Sequence, residues 1–262
     1  MKKIIFYSAL LVAVGCNSSK VKPNLHMNGA YFMTSQTIGQ GEKATKYTDL
    51  KQLKIYTDSF FMYAQVNPGD SVSGFGLGTY SSDTGTIVEN GMFVARDSTV
   101  ATSSSSYKLM VTMNPDGYEQ IIPDIMIDST KQMLTEDYQK VSQKQTTPLD
   151  GVWKQTHFYT INGQDTVQGE RIEYKAFYAG YFMYGSFLHE PGATHPRAVV
   201  GFGTFKMDGP SKVNEVDLNA TYSIAVGQSF SVNVEMDGPD KYKQTIVSAD
   251  GSKSVELYER MK

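Results

Sequence analysis

The sequence predicts an all-β fold of two tandem antiparallel barrels with eight strands each. Three observations predict it. Tyr, Phe, Thr, Ser, Val and Gly are plentiful, and helix-forming runs of Ala, Leu, Glu and Lys are absent. That composition suits pleated, half-buried strands. The chain also repeats itself. Leu149-Asp150-Gly151-Val152-Trp153 restates Met27-Asn28-Gly29-Ala30-Tyr31, and the segments after each copy correspond one by one at a spacing of about 120 residues. Finally, Phe230, Val232, Val234 and Met236 alternate with Ser231, Asn233 and Glu235, as Tyr107, Leu109, Val111 and Met113 do with Lys108, Met110 and Thr112. Period two with one apolar face describes a strand that covers a core and wets its other side. About eight such strands per repeat close most simply into an up-and-down barrel, which leaves no edge exposed.

Taken in order, the chain opens with Lys2 and Lys3 before an apolar stretch at 4–14. That stretch is too short to span a bilayer as a helix and reads as a secretion signal. It ends in Ala13-Val14-Gly15-Cys16, and Cys16 is the single cysteine. This ending resembles the lipobox of bacterial lipoproteins, with Gly15 in place and Ala13 where Leu is usual. The resemblance implies cleavage before Cys16, a diacylated thiol and an acylated new amino terminus. Several acyl chains anchor stably, since each buried methylene contributes about 0.8 kcal/mol. The alternative is an ordinary secreted protein cut nearby. Residues 17–24 read as a polar tether. Asn17 is not the Asp that resembles an inner-membrane retention signal, which points to the outer membrane and leaves its face open. With Cys16 lipidated, no disulfide is left and stability must come from the cores. The net charge of -3 and the lack of a basic stripe argue against a nucleic-acid partner.

Repeat one spans 25–141. Its strands are expected to begin at Gly29, at 54–56, at 60–63 and in the Gly-rich run 74–80, with a short strand at Val88 and Glu89. Residues 103–106, all Ser, read as an exposed loop. Strands 107–113 and 118–122 pair around Asn114-Pro115-Asp116-Gly117, where Pro and Gly supply the turn dihedrals. By propensity alone 131–141 passes for a helix, but its counterpart in repeat two is plainly a strand, so a strand is expected. Residues 142–148 are the linker. Repeat two spans 149–262. In it 181–184 match 60–63, 201–205 match 76–80, Glu215 matches Glu89, and Tyr242, Gln244 and Ile246 match Tyr118, Gln120 and Ile122. Glu256, Tyr258 and Arg260 match Glu136, Tyr138 and Lys140.

Gly151 and Trp153 on the first strand, with Arg260 near the end of the last, resemble the calycin group of barrels, which includes lipocalins. The resemblance implies a first-strand Trp at the closed end with the last-strand Arg packed across it. A guanidinium over an indole contributes about 0.5 to 2 kcal/mol. Repeat one departs from the pattern with Tyr31 and Lys140, so a weaker plug is expected there. The whole mature chain also resembles the lipocalin-like domains of unknown function in gram-negative envelope lipoproteins, where the Gly-rich strand and the later Glu recur.

Candidate chemistry is sparse. The Gly-rich strands lack the following helix and the Gly-Lys-Ser/Thr ending of a phosphate loop, so their glycines read as barrel corners. Of the four histidines, His26, His157, His189 and His195, only the last two share a loop, at 189–197, and could meet around a metal. No Gly-x-Ser-x-Gly elbow occurs, and Glu89 and Glu215 lie in separate repeats, so no acid/base pair is expected. Enzymatic activity and a cofactor are therefore not expected. Gln120 and Gln244 share a face with Tyr118, Ile122, Tyr242 and Ile246. If that face is interior, each barrel holds an amide among aromatics, either to orient a small ligand or to satisfy a filled core. Tyr63, Tyr80, Tyr184 and Phe205 are further wall candidates, with core packing as the alternative. The third strands, 60–63 and 181–188, are apolar on both faces, so the outside of each barrel should be covered, by the other barrel or by a partner protein. The function expected is a lipid-anchored envelope protein that binds a small apolar or amphipathic ligand. A docking module with filled barrels is the alternative.

Overall fold

The computed structural model describes residues 25–67, 72–102, 105–127, 129–189 and 192–262, and in it each repeat closes into a barrel. The signal segment, Cys16 and the tether at 17–24 lie outside the described residues, as do Ser103 and Ser104. Repeat one contains β1 Gly29–Ile38, β2 Thr45–Tyr47, β3 Lys51–Tyr56, β4 Phe60–Asn67, β5 Val72–Asp83, β6 Thr86–Arg96, β7 Thr99–Ala101, β8 Ser105–Asn114, β9 Gly117–Ile127 and β10 Thr130–Lys140. Eight of these form the barrel in the order β1-β3-β4-β5-β6-β8-β9-β10, and β10 pairs back onto β1. The short β2 and β7 are side hairpins on β1 and β6. Repeat two contains β11 Gly151–Asn162, β12 Asp165–Gln168, β13 Ile172–Tyr178, β14 Tyr181–Leu188, β15 Arg197–Met207, β16 Lys212–Ala220, β17 Ser229–Met236, β18 Lys241–Val247 and β19 Lys253–Arg260. It closes through β11–β19, with β12 alongside β11. The barrel strands pair antiparallel throughout.

The repeat correspondence holds in three dimensions. The turn at Pro115 and Asp116 joins β8 to β9, and residues 131–140 are strand, not helix. Two expectations need correction. The strand around Val88 and Glu89 is not short: β6 has 11 residues, because its partner β5 is equally extended. Ser105 and Ser106 belong to β8 instead of a loop, opposite Gly91 and Asn90. The glycines of the Gly-rich strands serve close approach. A Cβ on Gly78 would overlap the carbonyl of Asn90, and one on Gly203 that of Val216. Both sit at bulges where the register shifts, which sharpens the bend.

One end of each barrel is plugged. Trp153 is fully buried, and its Nε1 donates to the Leu149 carbonyl at 2.7 Å. The Arg260 guanidinium sits 4.1 Å from its ring centroid and donates to the carbonyls of Asp150, Pro148 and Pro239. Gly151 is needed here, since its φ is 144° and any Cβ would meet Nη1 of Arg260. Repeat one builds the same device with weaker parts. Tyr31 donates to the Met27 carbonyl at 2.9 Å, and the Lys140 ammonium stands 5.7 Å from the ring.

The doubly apolar third strands meet each other. Outward side chains of β3 to β6, among them Met62, Phe75, Leu77 and Phe93, form one continuous core with Tyr174, Met183, Val200 and Phe202 of repeat two. Phe93 and Tyr174 lie 5.3 Å apart, and Phe32 meets Tyr181 edge-on at 5.8 Å. Polar bonds flank this core: Ala198 N–H to the Asp97 carbonyl at 2.7 Å, and Thr221 Oγ1 to Ser73 Oγ at 2.7 Å. At Gly185 the Phe75 ring occupies the space where a Cβ would stand.

The plug and the shared core can each be tested by one substitution. Trp153→Ala should cost about 3 to 5 kcal/mol in urea unfolding, as large aromatic truncations in cores do. A midpoint within error of wild type would show that the ring is no plug. Gly185→Leu should force the Phe75 ring aside, cost about 1 to 3 kcal/mol, and split one calorimetric transition into two as the barrels uncouple. An unchanged single transition would contradict the shared core.

Candidate functional site

The end of barrel 2 opposite the Trp153 plug holds a cavity of about 210 Å³. Its wall is set by strand periodicity. Inward positions of β13 bring Glu173 and Lys175, β14 brings Tyr184, and β16 brings Glu215 and Asp217. Gln244 and Ile246 come from β18 and Glu256 from β19. Phe230 and Ala225 stand at the rim, and Arg171 precedes β13.

The inward face of this wall is far more charged than an apolar cup. Lys175, only 4 % exposed, reaches Glu215 at 3.5 Å and Gln244 Oε1 at 3.1 Å. Burial works against its ammonium, but Glu215, Glu256 and Glu173 together outweigh that and raise its pKa, so it stays charged. Burial pushes the Glu215 carboxyl up, with Lys175 opposing. Arg171 pairs with Glu256 at 2.6 Å and Glu173 at 3.2 Å. The Tyr258 hydroxyl lies between Glu173 and Glu256 with its one proton shared between them, and Glu256 also accepts from Gln244 Nε2 at 2.5 Å. Asp217 is the exception. It is 3 % exposed, and its Oδ1 has no hydrogen-bond partner among the described residues. Burial, followed by the Glu215 charge, pushes its pKa up to about 7, with Lys175 pulling the other way.

Barrel 1 carries the same layout with fewer charges. Lys54 pairs with Glu89 at 2.7 Å and approaches Gln120 Oε1 at 3.4 Å, while Gln120 Nε2 donates to Glu136 at 2.5 Å. Tyr138 donates to Glu136 at 2.9 Å and accepts from Gln52. The mouth of barrel 1 has its own cleft of about 260 Å³, lined by Gln36, Gln65, Asn67, Arg96 and neighbours.

The sequence-read site residues are therefore divided. Tyr184 and Gln244 line the barrel 2 cavity, and Gln120 lies in the matching layer of barrel 1. Tyr118, Tyr242 and Phe205 are buried in the aromatic packing at the plugged ends, Tyr118 stacked on Tyr138 and Tyr242 on Tyr258. Tyr80 packs edge-on against Tyr56 and donates to the Thr57 carbonyl at 2.7 Å. Tyr63 is half-buried against the barrel 1 interior, over Gly76. The amides bond carboxylates and lysines instead of tyrosines. Sequence reasoning missed Lys175, Glu173, Asp217 and Glu256 as one group. Their period-two spacing with Phe177 and Tyr258 is the available signal, masked because charge usually faces water. His26, His157, His189 and His195 are all exposed, and no metal-binding group of three His, Cys, Asp or Glu occurs among the described residues.

No family model and no curated protein matches this chain. Two solved structures are similar over most of its length. One is a protein of unknown function of the DUF3598 family from Nostoc punctiforme, 11% identical, covering 89% of this chain and 96% of that one, TM-score 0.28. The other is the Transferrin Binding Protein B double mutant from Haemophilus parasuis, 9% identical, covering 91% and 77%, TM-score 0.26.

The Asp217 carboxyl gives a pH signature. Its folded pKa lies above the unfolded value, so the folded chain holds the extra proton between about pH 4 and 7, and stability falls as pH rises through that window. Asp217→Asn should therefore stabilise the protein by about 2 to 4 kcal/mol at pH 8.5 and by almost nothing at pH 4. Urea midpoints of both proteins at the two pH values check this, and an equal difference at both would refute it.

Proposed function

We propose that this chain is a lipid-anchored envelope protein, held in the outer membrane through Cys16, whose second barrel binds a small amphipathic molecule without chemical change. The observation that carries the reading is the 210 Å³ cavity on the open side of barrel 2, with Tyr184, Phe230 and Ile246 beside its buried polar groups. Drug-sized pockets run to about 300–1,000 Å³, so this one suits a small molecule or the head of a longer one whose tail leaves past Phe230. Glu173, Glu215 and Glu256 are engaged by Arg171, Lys175 and Tyr258. Those three carboxylates are held in ion pairs and hydrogen bonds, and the unpartnered Oδ1 of Asp217 is left facing the cavity for a ligand to meet, which supports a binding role. The net charge of -3 keeps nucleic acid outside the expected partners.

The docking reading rests on the doubly apolar third strands. Those strands spend their outer faces on each other, which favours the carrier reading. The test is native mass spectrometry of the full chain, purified gently from a bacterial host in a mild detergent. A reproducible extra mass that leaves on unfolding is expected. A bare mass, with no uptake from a lipid and metabolite extract, would overturn the carrier reading.

A further inference from the structure

The two repeats are an internal control for each other. Lys175, Glu215 and Glu256 in barrel 2 stand where Lys54, Glu89 and Glu136 stand in barrel 1, one cation with two carboxylates in each. Barrel 2 adds Arg171 and Glu173, which pair with each other and add no net charge. It adds one thing more. Asp217 lies opposite Gly203 at the bulge, where barrel 1 has Gly91 opposite Gly78. The extra carboxylate is 3 % exposed, lines the cavity, leaves Oδ1 without a partner, and has no ion pair among the described residues. A buried charge without a partner is costly, and among the described residues Asp217 is the one cavity-lining side chain with such an orphaned atom.

We propose that the open side of barrel 2 is a site for the ammonium head of a small amphipathic amine, with Asp217 as its counter-ion and Glu215 close by. This rests on the reading of barrel 2 as a ligand cup. Four carboxylates face two cations there, so a monovalent cation brings the wall nearer to neutrality than an anion or a neutral head would. Tyr184 and Phe230 bring aromatic rings to the cavity wall, where an ammonium can be attracted, and Ile246 offers apolar surface to the chain behind it. An organic cation suits this wall because Tyr184, Phe230 and Ile246 stand beside the carboxylates and give apolar contact to a carbon chain that a bare metal ion would not use. Affinity should depend on pH through Asp217, which faces Arg171, Glu173 and Lys175 from β13 and the residue before it, Tyr184 from β14, Glu215 on its own strand, and Glu256 from β19. Near pH 7 it takes up a proton and ceases to be a counter-ion.

The experiment is calorimetric titration of the full chain in mild detergent with hexylammonium, hexan-1-ol and hexanoate, with micelle blanks subtracted. At pH 8.5 hexylammonium should bind about tenfold or more tighter than the other two. It should lose that advantage at pH 5.5 and in Asp217→Asn, whose fold is checked by its urea midpoint. Hexan-1-ol should bind wild type and Asp217→Asn alike. If hexan-1-ol and hexylammonium bind equally and both survive Asp217→Asn, the cup stands and the ammonium site is refuted. If hexanoate binds tightest, the sign of the site is wrong. If none of the three binds wild type, the cup itself fails and the inference falls with it.

Discussion

An ammonium sealed inside a closed barrel has to be matched there, and that requirement organises both repeats. Lys54 and Lys175 are each about as buried as the aromatic residues below them. Stripping such a group of water costs several kcal/mol, which only close carboxylates and further hydrogen bonds offset. The partners of Lys54 come from across the barrel, Glu89 from β6 and Gln120 from β9, and Gln120 is held in turn by Glu136 of β10. A slip of one residue in any of these strands would turn its charged group outward and leave the lysine alone. The ion pair therefore contributes more to register than to net stability, which rests on the aromatic packing around Tyr31, Tyr118 and Tyr138 and around Trp153, Tyr242 and Tyr258.

That division explains what can be read from the sequence. The duplication, the number of strands, the plug of Gly151, Trp153 and Arg260, and the strand at 131–140 are legible, because each depends on local pattern repeated at long range. The interior charges are not. Glu256 and Tyr258 alternate with solvent-facing neighbours like any half-buried strand, and a carboxylate in such a strand is ordinarily counted as outward. The bulges hide more. At Phe202/Gly203 and at Gln155/His157 the register shifts, so simple alternation assigns the wrong face to everything beyond. Asp217 itself keeps the period of Val213 and Glu215, since the extra residue at that bulge, Leu218, comes after it; its charge alone disguises it as a solvent-facing residue. The length of β6 is obscured because Met92 is the extra residue at its bulge, where the buried positions pass from the barrel interior at Ile87 to the shared core at Phe93.

The outer faces obey a different logic. A strand apolar on both sides can stay in water only if something covers it. Here each barrel covers the other: Phe75 fills the place of a side chain that Gly185 lacks, and Phe93 lies against Tyr174. The linker at 142–148 is short, and Lys144 donates its N–H to the Ala179 carbonyl while its ammonium stands over Tyr181. Two barrels that could each fold around their own interior are thus joined through a third core. The joined strands β4, β5, β14 and β15 form the packed side of each barrel, and the cavity of barrel 2 runs from β13 and β14 on that side across to β16 to β19 and the turn at Ser223–Ala225.

Duplication then gives a reason for two barrels where one would bind. Barrel 1 keeps Leu50, Gln52 and Gly91 where barrel 2 has Arg171, Glu173 and Asp217, and its lysine is matched more closely, at 2.7 Å against 3.5 Å. A copy whose interior charges are tightly paired adds stability and a docking face. The other copy can then tolerate an unpaired carboxylate, a looser ion pair and a cavity, each of which costs stability on its own. A single barrel with the interior of repeat two would carry those costs without the shared core at Phe75 and Gly185 to offset them. The physical signature of a site, strain held in place by a neighbour with none, is thus distributed between the two halves of one sequence.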